Sequence, residues 1–415
     1  MYRRSLVKII RHHGLPVCRR NLGYSIARSF SFTTSTSSSN NEPEYSKIYA
    51  LPFKLSAERA PQVMFFKSLP TVSDTSHIRI RKAYLPIWYY DMAITANVTR
   101  DSDGKERELL GVALDGFWTG HTWDPMCYLS FGFPVVLDKT TLRPFTSMYD
   151  NVDDKEDIEV IPFSTDPFQD LGDHVSKALE GVHVGHLKQA MTIGKAALAF
   201  GAAYPLYFPV YIGQVRDNKE QVIVVAGHSD NPPVFKHTPG NKGAKQWLNG
   251  GNWIRLDVTD PSWRVGAPIS PLQELCKIFM DKVVNKMDED GNPTLANTSR
   301  RPIQWDDTRI QSYVSYEKDN KTYLKQLFKV WAQQRMLSHL EGMDGNRRTF
   351  GMGADGFVVK TADQFKTEIL NKIGDELETL EKVEPLWLKE YNQQQQQIMD
   401  NHTSDIDNSN KQNDM

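Results

Sequence analysis

After residue 45, the first half of the chain is built from short apolar runs separated by polar turns. Four runs are rich in β-branched and aromatic residues, namely 79–98, 128–137, 207–215 and 221–226. Runs of this length and composition are typical of β-strands. The polar stretch 100–105 lies between two strand-like flanks, so the pattern predicts a β-hairpin over residues 94–114.

The apolar pattern changes to a helical period in the last third of the chain. Ser270 and Pro271 supply an N-cap and a proline at the first helical position, which predicts a helix start. Apolar residues then recur every three or four positions at Leu272, Leu275, Cys276, Phe279, Val283 and Met287. We predict a second helix over 323–340 and a third that begins at Thr361 or Ala362. The apolar side of the third helix consists of Phe365, Ile369, Ile373, Leu377 and Leu380.

A short pattern occurs twice in the β-rich half. Residues 49–53 (Tyr-Ala-Leu-Pro-Phe) precede a helix-compatible stretch and the aromatic run 84–90, and residues 160–163 (Val-Ile-Pro-Phe) precede a similar stretch and the aromatic run 204–211. The repetition predicts two related units that arose by internal duplication. Coincidence in a chain rich in proline and aromatic residues is the alternative. The predicted fold class is α+β, with two related β-rich units followed by a helical C-terminal region.

These patterns divide the chain into five segments. Residues 1–40 form a leader, and residues 45–230 form the β-rich α+β domain with the duplicated pattern. Residues 231–268 contain several proline and glycine pairs, which predict a loop-rich connection. Residues 269–390 form the helical region. Residues 391–415 are rich in Gln and Asn and are predicted to be a disordered tail, because they bury too little apolar surface to offset the entropy of ordering.

The order of motifs in the β-rich half resembles a known family. The motifs are Leu-Pro-Phe-Lys-Leu-Ser at 51–56, Tyr-Leu-Pro-Ile-Trp at 84–88, Pro-Phe at 162–163 and Phe-Pro-Val-Tyr-Ile at 208–212. Over about residues 48–230 they are similar to the β-rich repeat region of uncharacterised prokaryotic proteins that carry an N-terminal zinc ribbon. This chain has no pair of cysteines in CxxC spacing. The resemblance therefore implies a shape and no metal-binding role.

The leader differs from the rest of the chain in charge. Residues 1–40 contain seven Lys or Arg and no Asp or Glu, in a chain whose net charge is −2, so the remainder carries −9. A segment that is rich in Arg and Ser and free of acids is typical of a mitochondrial presequence, which the membrane potential pulls inward. We predict a location in the matrix or on the matrix side of the inner membrane, with processing near residue 30. A basic tail that binds nucleic acid or anionic lipid is the alternative.

Charge and cysteine content exclude several classes of function. An acidic body repels phosphates, so nucleic acid is not a predicted partner. Outside the leader only Cys127 and Cys276 remain, which is too few for a disulfide framework or a four-cysteine zinc site.

Residues 196–215 contain no charge, but Pro205 and Pro209 would leave backbone groups unpaired in lipid. We predict no transmembrane helix and interpret this stretch as a buried helix end that turns into a strand. Peripheral contact of the aromatic region with the inner membrane is an alternative.

The densest group of chemically versatile residues is the loop 115–125. Its Trp118 and Trp123 offer flat apolar contact, and Asp115 adds a carboxylate for a ligand. His121 and Asp124 are candidates for an acid/base pair. The alternative interpretation is a turn whose tryptophans fill the core.

Two weaker motifs are candidates for metal binding and for phosphate binding. His183 and His186 lie three residues apart, on one face if the segment is helical, and are the candidate metal ligands; a place on a helix surface is the alternative. Residues 351–356 match G-x-G-x-x-G, but no strand precedes the match and no helix opens at it. We interpret it as a flexible loop, and no cofactor is predicted.

No catalytic constellation stands out from these candidates. The leading hypothesis is therefore a non-enzymatic mitochondrial protein that binds protein partners, as an assembly factor or as an accessory subunit of a larger complex. An amphipathic helix such as 361–382 offers a surface for such a partner. The alternative is an enzyme with a pocket at the loop 115–124, in which His121 and Asp124 act as acid and base.

Overall fold

A computed structural model describes a little over half of the chain. The described residues are 46–68, 78–100, 104, 106–121, 123, 126–129, 139–145, 158–168, 181, 183–184, 191–215, 218–237, 253–256, 303–341, 343–353 and 356–397. The leader 1–40 and the predicted helix 270–287 lie outside them. All structural statements below concern these residues.

The described elements follow one another along the chain in a mixed order. They are β1 (Tyr49–Ala50), α1 (Arg59–Ser68), β2 (Ile78–Arg100), β3 (Glu106–Thr119), α2 (Met126–Leu129), β4 (Arg143–Pro144), β5 (Ile158–Val160), β6 (His183–Val184), β7 (Met191–Val215), β8 (Asn218–Ala226), β9 (Val234–His237), β10 (Trp253–Arg255), α3 (Tyr313–Glu341), β11 (Arg348–Gly353), β12 (Gly356–Thr361), α4 (Ala362–Lys382) and a final helix α5 over 386–397. The α+β class predicted from the sequence is confirmed, with helices in the C-terminal region.

Two long antiparallel strands, β2 and β7, form the centre of one ten-stranded sheet. Their pairing runs from Ile78 opposite Val215 to Arg100 opposite Met191. The middle of each strand is apolar and aromatic almost throughout, as expected of strands that are covered on both faces. β3 pairs with β2 as the predicted hairpin. The stretch 196–215 lies wholly in β7, so the predicted helix end is not found there.

The two halves of the sheet repeat the same crossed arrangement. β1, from the first half, pairs in parallel with β7, and β5, from the second half, pairs in parallel with β2. The backbone N–H of Leu51 donates to Tyr207 O, and that of Ile161 donates to Tyr84 O, each at 3.1 Å. Each short strand therefore completes the sheet of the other half.

The residues after each short strand also repeat their contacts. In one half the N–H groups of Ser164 and Thr165 donate to Gly120 O at 2.7 and 3.3 Å, and in the other half those of Lys54 and Leu55 donate to Gly227 O at 2.8 and 3.0 Å. In turn the N–H of Gly120 donates to Pro86 O at 3.0 Å, and that of Gly227 donates to Pro209 O at 2.7 Å. The two halves therefore repeat one set of backbone contacts, and their origin by internal duplication stays a prediction.

Three prolines lie inside the central strands, where a missing N–H normally weakens a sheet. In an antiparallel strand, alternate residues direct both their N and O atoms to the same side. The carbonyls of Ala203, Tyr207 and Pro209 accept hydrogen bonds on the side away from β2, so the ring nitrogens of Pro205 and Pro209 also point away from β2. Pro205 lies between the contacts of Ala203 with residues 309–311 and the pairing with β1, and Pro209 lies between β1 and β8. Pro86 likewise lies where the pairing of β2 with β5 ends and its pairing with β3 begins. Each proline occupies a junction between outer neighbours, so no ladder hydrogen bond is lost.

The C-terminal helices cover one face of the sheet. In the first half of α3, Tyr313 packs on Tyr89 and Tyr204 and Tyr323 packs on Phe200, whereas the second half packs on α4. Thr361 caps α4 through a capping box with Gln364, which confirms the predicted helix start. The apolar side of α4 is largely covered by α3, with Ile369 and Ile373 both buried. The apolar positions that stay exposed on this helix, such as Leu370, therefore lie outside its main stripe.

Three predicted boundaries differ from the structure. The predicted loop-rich connection 231–268 contains β9 and β10, which extend the large sheet. The second predicted helix begins ten residues earlier than expected, at Tyr313. Residues 391–397, predicted as disordered tail, continue the helix α5, and Trp387 and Leu388 at its start are buried in the core.

Candidate functional site

A β-bulge opens the pairing of β2 and β3 beside the C-terminal helices. Tyr90 pairs with Gly116 and Met92 pairs with Ala113, so Leu114 and Asp115 together face the single residue Asp91. Asp115 has φ of 59°, in the left-handed region that few residues other than glycine adopt. Bulges of this kind re-aim side chains and are common beside functional sites.

Asp91 lies at the bottom of this bulge and is fully buried. Its Oδ1 accepts the backbone N–H of Asp115 at 3.1 Å, and its Oδ2 accepts the hydroxyl of Tyr204 at 2.9 Å. Burial raises the pKa of Asp91 to about 6, although these two hydrogen bonds and the charge of Lys321 act in the opposite direction. The same carboxylate therefore holds the strained bulge and the central strand β7.

Asn320 of α3 connects this carboxylate to the helices and is also fully buried. Its Nδ2 donates to the hydroxyl of Tyr204 at 2.8 Å and to Oε1 of Gln311 at 3.1 Å. Its Oδ1 accepts the indole N–H of Trp387 at 2.8 Å. One amide thus links β7, the segment before α3 and the helix α5.

Charged side chains surround the outer end of this network. Lys321 forms ion pairs with Asp115 and Glu317, and Glu317 also pairs with Lys139 at 2.6 Å. The hydroxyl of Tyr89 donates to Oδ1 of Asp115 at 3.0 Å. Burial lowers the pKa of Lys321, but its hydrogen bonds with Asp115 and Glu317 outweigh this and raise it overall. Lys321 therefore stays charged and joins the bulge to α3.

These groups form a connected network of Asp91, Tyr204, Asn320, Trp387 and Gln311, which we call the Asp91 network. Burial raises the pKa of Tyr204 far above its ordinary value, so its hydroxyl remains a neutral donor. The polar atoms of the network bond to one another and to the backbone. Such a satisfied network makes the position of the helices on the sheet specific.

The raised pKa of Asp91 predicts a pH-dependent stability. The folded state holds the proton of Asp91 more tightly than the unfolded state, so this group favours folding below about pH 4 and does so progressively less as the pH rises to 6. Relative to Asp91→Asn, the free energy of unfolding of the unaltered protein should fall by about 2 kcal/mol between pH 4 and pH 7. Urea denaturation at a series of pH values measures this difference. A constant difference between the two proteins across that range would contradict the assignment.

The candidate residues of the loop 115–124 lie in separate places. Asp115 is turned towards α3, whereas Trp118 packs with Trp88 and Tyr90 in the core on another part of the sheet. Trp123 is partly buried under the guanidinium of Arg81, at 5.3 Å. Asp124 lies outside the described residues, so its pairing with His121 remains a prediction.

His121 is buried and held by its own turn. Its Nδ1 accepts the backbone N–H of Trp123 at 3.2 Å, which leaves the proton of the neutral ring on Nε2. Nε2 has no hydrogen-bond partner among the described residues. Burial lowers the pKa of His121 to about 3, so the ring is neutral at physiological pH. His228 follows the equivalent glycine in the second half, and burial lowers its pKa as well.

The other sequence candidates are placed as follows. The backbone of His183 lies in the short strand β6 and not in a helix, and His186 lies outside the described residues. In the part of the chain that the structure describes, no group of three His, Cys, Asp or Glu is placed to hold a metal ion. The G-x-G-x-x-G match forms the facing ends of β11 and β12, with Gly353 opposite Gly356. The predicted flexible loop is therefore mostly a β-hairpin.

Sequence reasoning missed the Asp91 network. Asp91 is the one charge in the run 84–94 of β2, which is otherwise aromatic and aliphatic, and this isolation was an available signal. Asn320 and Trp387 carry no such signal, because both lie in ordinary helical sequence. Their role depends on partners more than 60 residues away along the chain.

Comparison of the chain with protein-family models, with curated proteins and with solved structures finds no match. In the described residues, no helix combines the length and the apolar character needed to cross a bilayer.

Proposed function

We propose that this chain is a non-enzymatic mitochondrial protein that binds protein partners, as an assembly factor or an accessory subunit of a larger complex. The observation that carries the proposal is that the Asp91 network is used internally. Its side chains bond to one another and fix α3 and α5 on the sheet. The densest polar network among the described residues therefore holds the helices on the sheet.

The C-terminal helices supply the proposed partner surface. The main apolar stripe of α4 is covered by α3, but Leu370 on α4 is 40% exposed and Leu386 at the start of α5 is 70% exposed. Large apolar side chains in such exposed positions add favourable area when a partner covers them. The mitochondrial location rests on the acid-free leader 1–40.

The test is the size of the endogenous protein in mitochondria. A tagged full-length chain, extracted from isolated mitochondria with mild detergent, should sediment in a complex well above the mass of one chain. In the double variant Leu370→Asp and Leu386→Asp, the ratio of monomer to complex should be at least about ten-fold higher than in the unaltered protein, as expected when a charge is buried in an interface.

The matched control is Phe66→Asp on α1, a 69% exposed apolar residue that lies away from the C-terminal helices. It should leave the complex intact. Sedimentation of the unaltered chain as a lone monomer would contradict the proposed function. An N-terminus at Met1 in the cell's mature form, found by mass spectrometry of the same sample, would contradict the leader assignment.

A further inference from the structure

One face of α3 combines positive charge with exposed apolar side chains. At about 100° per residue, seven residues fall within an arc of roughly 120°. They are Lys325, Phe328, Lys329, Ala332, Arg335, Met336 and His339, and we call them the cationic face. Phe328 is 45% exposed and Met336 is 56% exposed. The sequence from Asn320 to Leu340 contains no Asp or Glu.

The cationic face is set against an acidic background. The neighbouring helix α4 contains six acidic and three basic residues, and the chain after the leader carries −9. Among the described residues, Lys325, Lys329 and Arg335 form no ion pair, and Lys329 donates a 3.4 Å hydrogen bond to Oε1 of Gln326 on its own helix. Three positive charges and a histidine that are kept together in this way favour an anionic surface as the partner.

The face is held rigid by the rest of the fold. On the opposite side of α3, Leu324, Leu327 and Val330 are buried against the sheet, and Leu337 and Leu340 pack on α4. Phe328 stacks on Trp331 with their ring centroids 5.9 Å apart. The helix is therefore formed before any partner arrives, so binding does not have to order it.

We infer that the cationic face docks on a membrane surface that contains anionic phospholipid. Lys and Arg extend their charged ends to lipid headgroups while their alkyl stems lie along apolar surface. Phe328 and Met336 lie between these cations, where they reach the boundary between headgroups and acyl chains. A single convex helix suits a fluid, flat surface, which needs no matching groove. This inference is independent of the protein partner proposed above.

The test is binding of the full chain to lipid vesicles. The vesicles contain phosphatidylcholine with about 30 mol% phosphatidylglycerol, and vesicles of phosphatidylcholine alone serve for comparison. The unaltered chain should sediment with the anionic vesicles, and less so when the salt concentration rises from about 0.1 to 0.5 M. The triple variant Lys325→Glu, Lys329→Glu and Arg335→Glu should lower the partition coefficient at least ten-fold. Phe328→Ser should lower it several-fold without changing the net charge.

The leader also carries positive charge, so a matched control of equal charge change is needed. Lys372→Glu, Lys382→Glu and Lys389→Glu alter three exposed lysines of α4 and α5 in the same full chain. This control should bind much better than the triple variant of the cationic face. Equal binding by the two variants, or equal binding of the unaltered chain to neutral vesicles, would overturn the inference. Loss of the mitochondrial complex by the triple variant with unchanged vesicle binding would also overturn it and would assign the face to an acidic protein.

Discussion

Asn320→Ala should destabilise the protein by about 3–5 kcal/mol, the largest effect that we expect from one polar substitution. The change leaves the hydroxyl of Tyr204 without a donor and the indole N–H of Trp387 without an acceptor, both in buried positions. It also leaves a small cavity at a fully buried site. Urea denaturation followed by circular dichroism measures the loss.

Two further variants make this prediction specific. Asn346→Ala, at an exposed turn, should change the free energy of unfolding by less than about 0.5 kcal/mol. Trp387→Phe removes the other partner of one hydrogen bond, so its effect and that of Asn320→Ala should not add. Strict additivity of the two changes would show that the bond between Asn320 and Trp387 contributes no coupling.

Gly120→Ala should destabilise the protein by about 3 kcal/mol or more. A Cβ atom at this position would lie 2.8 Å from the backbone carbonyl of Pro86 and 2.9 Å from the ring of Phe163. The carbonyl belongs to a central strand and has little room to move. Thermal and urea unfolding of the variant measure the effect.

The equivalent position in the second half and a helical glycine provide the comparison. At Gly227 the nearest atoms belong to the ring of Phe53, at 2.6 Å, and the backbone oxygen of Pro209 is 3.2 Å away, so Gly227→Ala should cost less than Gly120→Ala. Gly374 of α4 has open space at its Cβ position. Gly374→Ala should therefore stabilise the protein by about 0.5–1 kcal/mol. An unchanged stability of Gly120→Ala would show that the carbonyl of Pro86 and the ring of Phe163 can move to accept the added methyl group.

Local signals in the sequence were sufficient for several elements. The polar residues 100–105 between apolar flanks predicted the hairpin of β2 and β3. The apolar period that begins at Phe365 predicted the start of α4 at Thr361 or Ala362. The repeated Pro-Phe pattern predicted two related units, whose matching hydrogen bonds the structure contains. In each case the information lies within a few residues of the element that it specifies.

Elements that depend on distant partners were harder to predict. The first turns of α3 bury Glu317 and Asn320 beside Tyr313, and these polar residues conceal the apolar period there. The run 207–215 was predicted as a strand, but residues 196–206 were predicted as a helix end, and only their pairing with β2 identifies them as strand. The Asp91 network joins residues from both halves of the sheet and from two helices, so no single window of sequence contains it.

The crossed pairing of the short strands has a consequence for how the chain reaches its native state. β1 of the first unit pairs with β7 of the second, and β5 of the second unit pairs with β2 of the first. Each unit therefore has an unpaired strand edge until the other unit has been synthesised and has folded. Contacts between segments more than 70 residues apart form slowly. Until they form, the 23-residue strand β2 has an unpaired edge that can pair with other chains. We therefore expect a newly made chain to be most prone to aggregation before its second unit is complete.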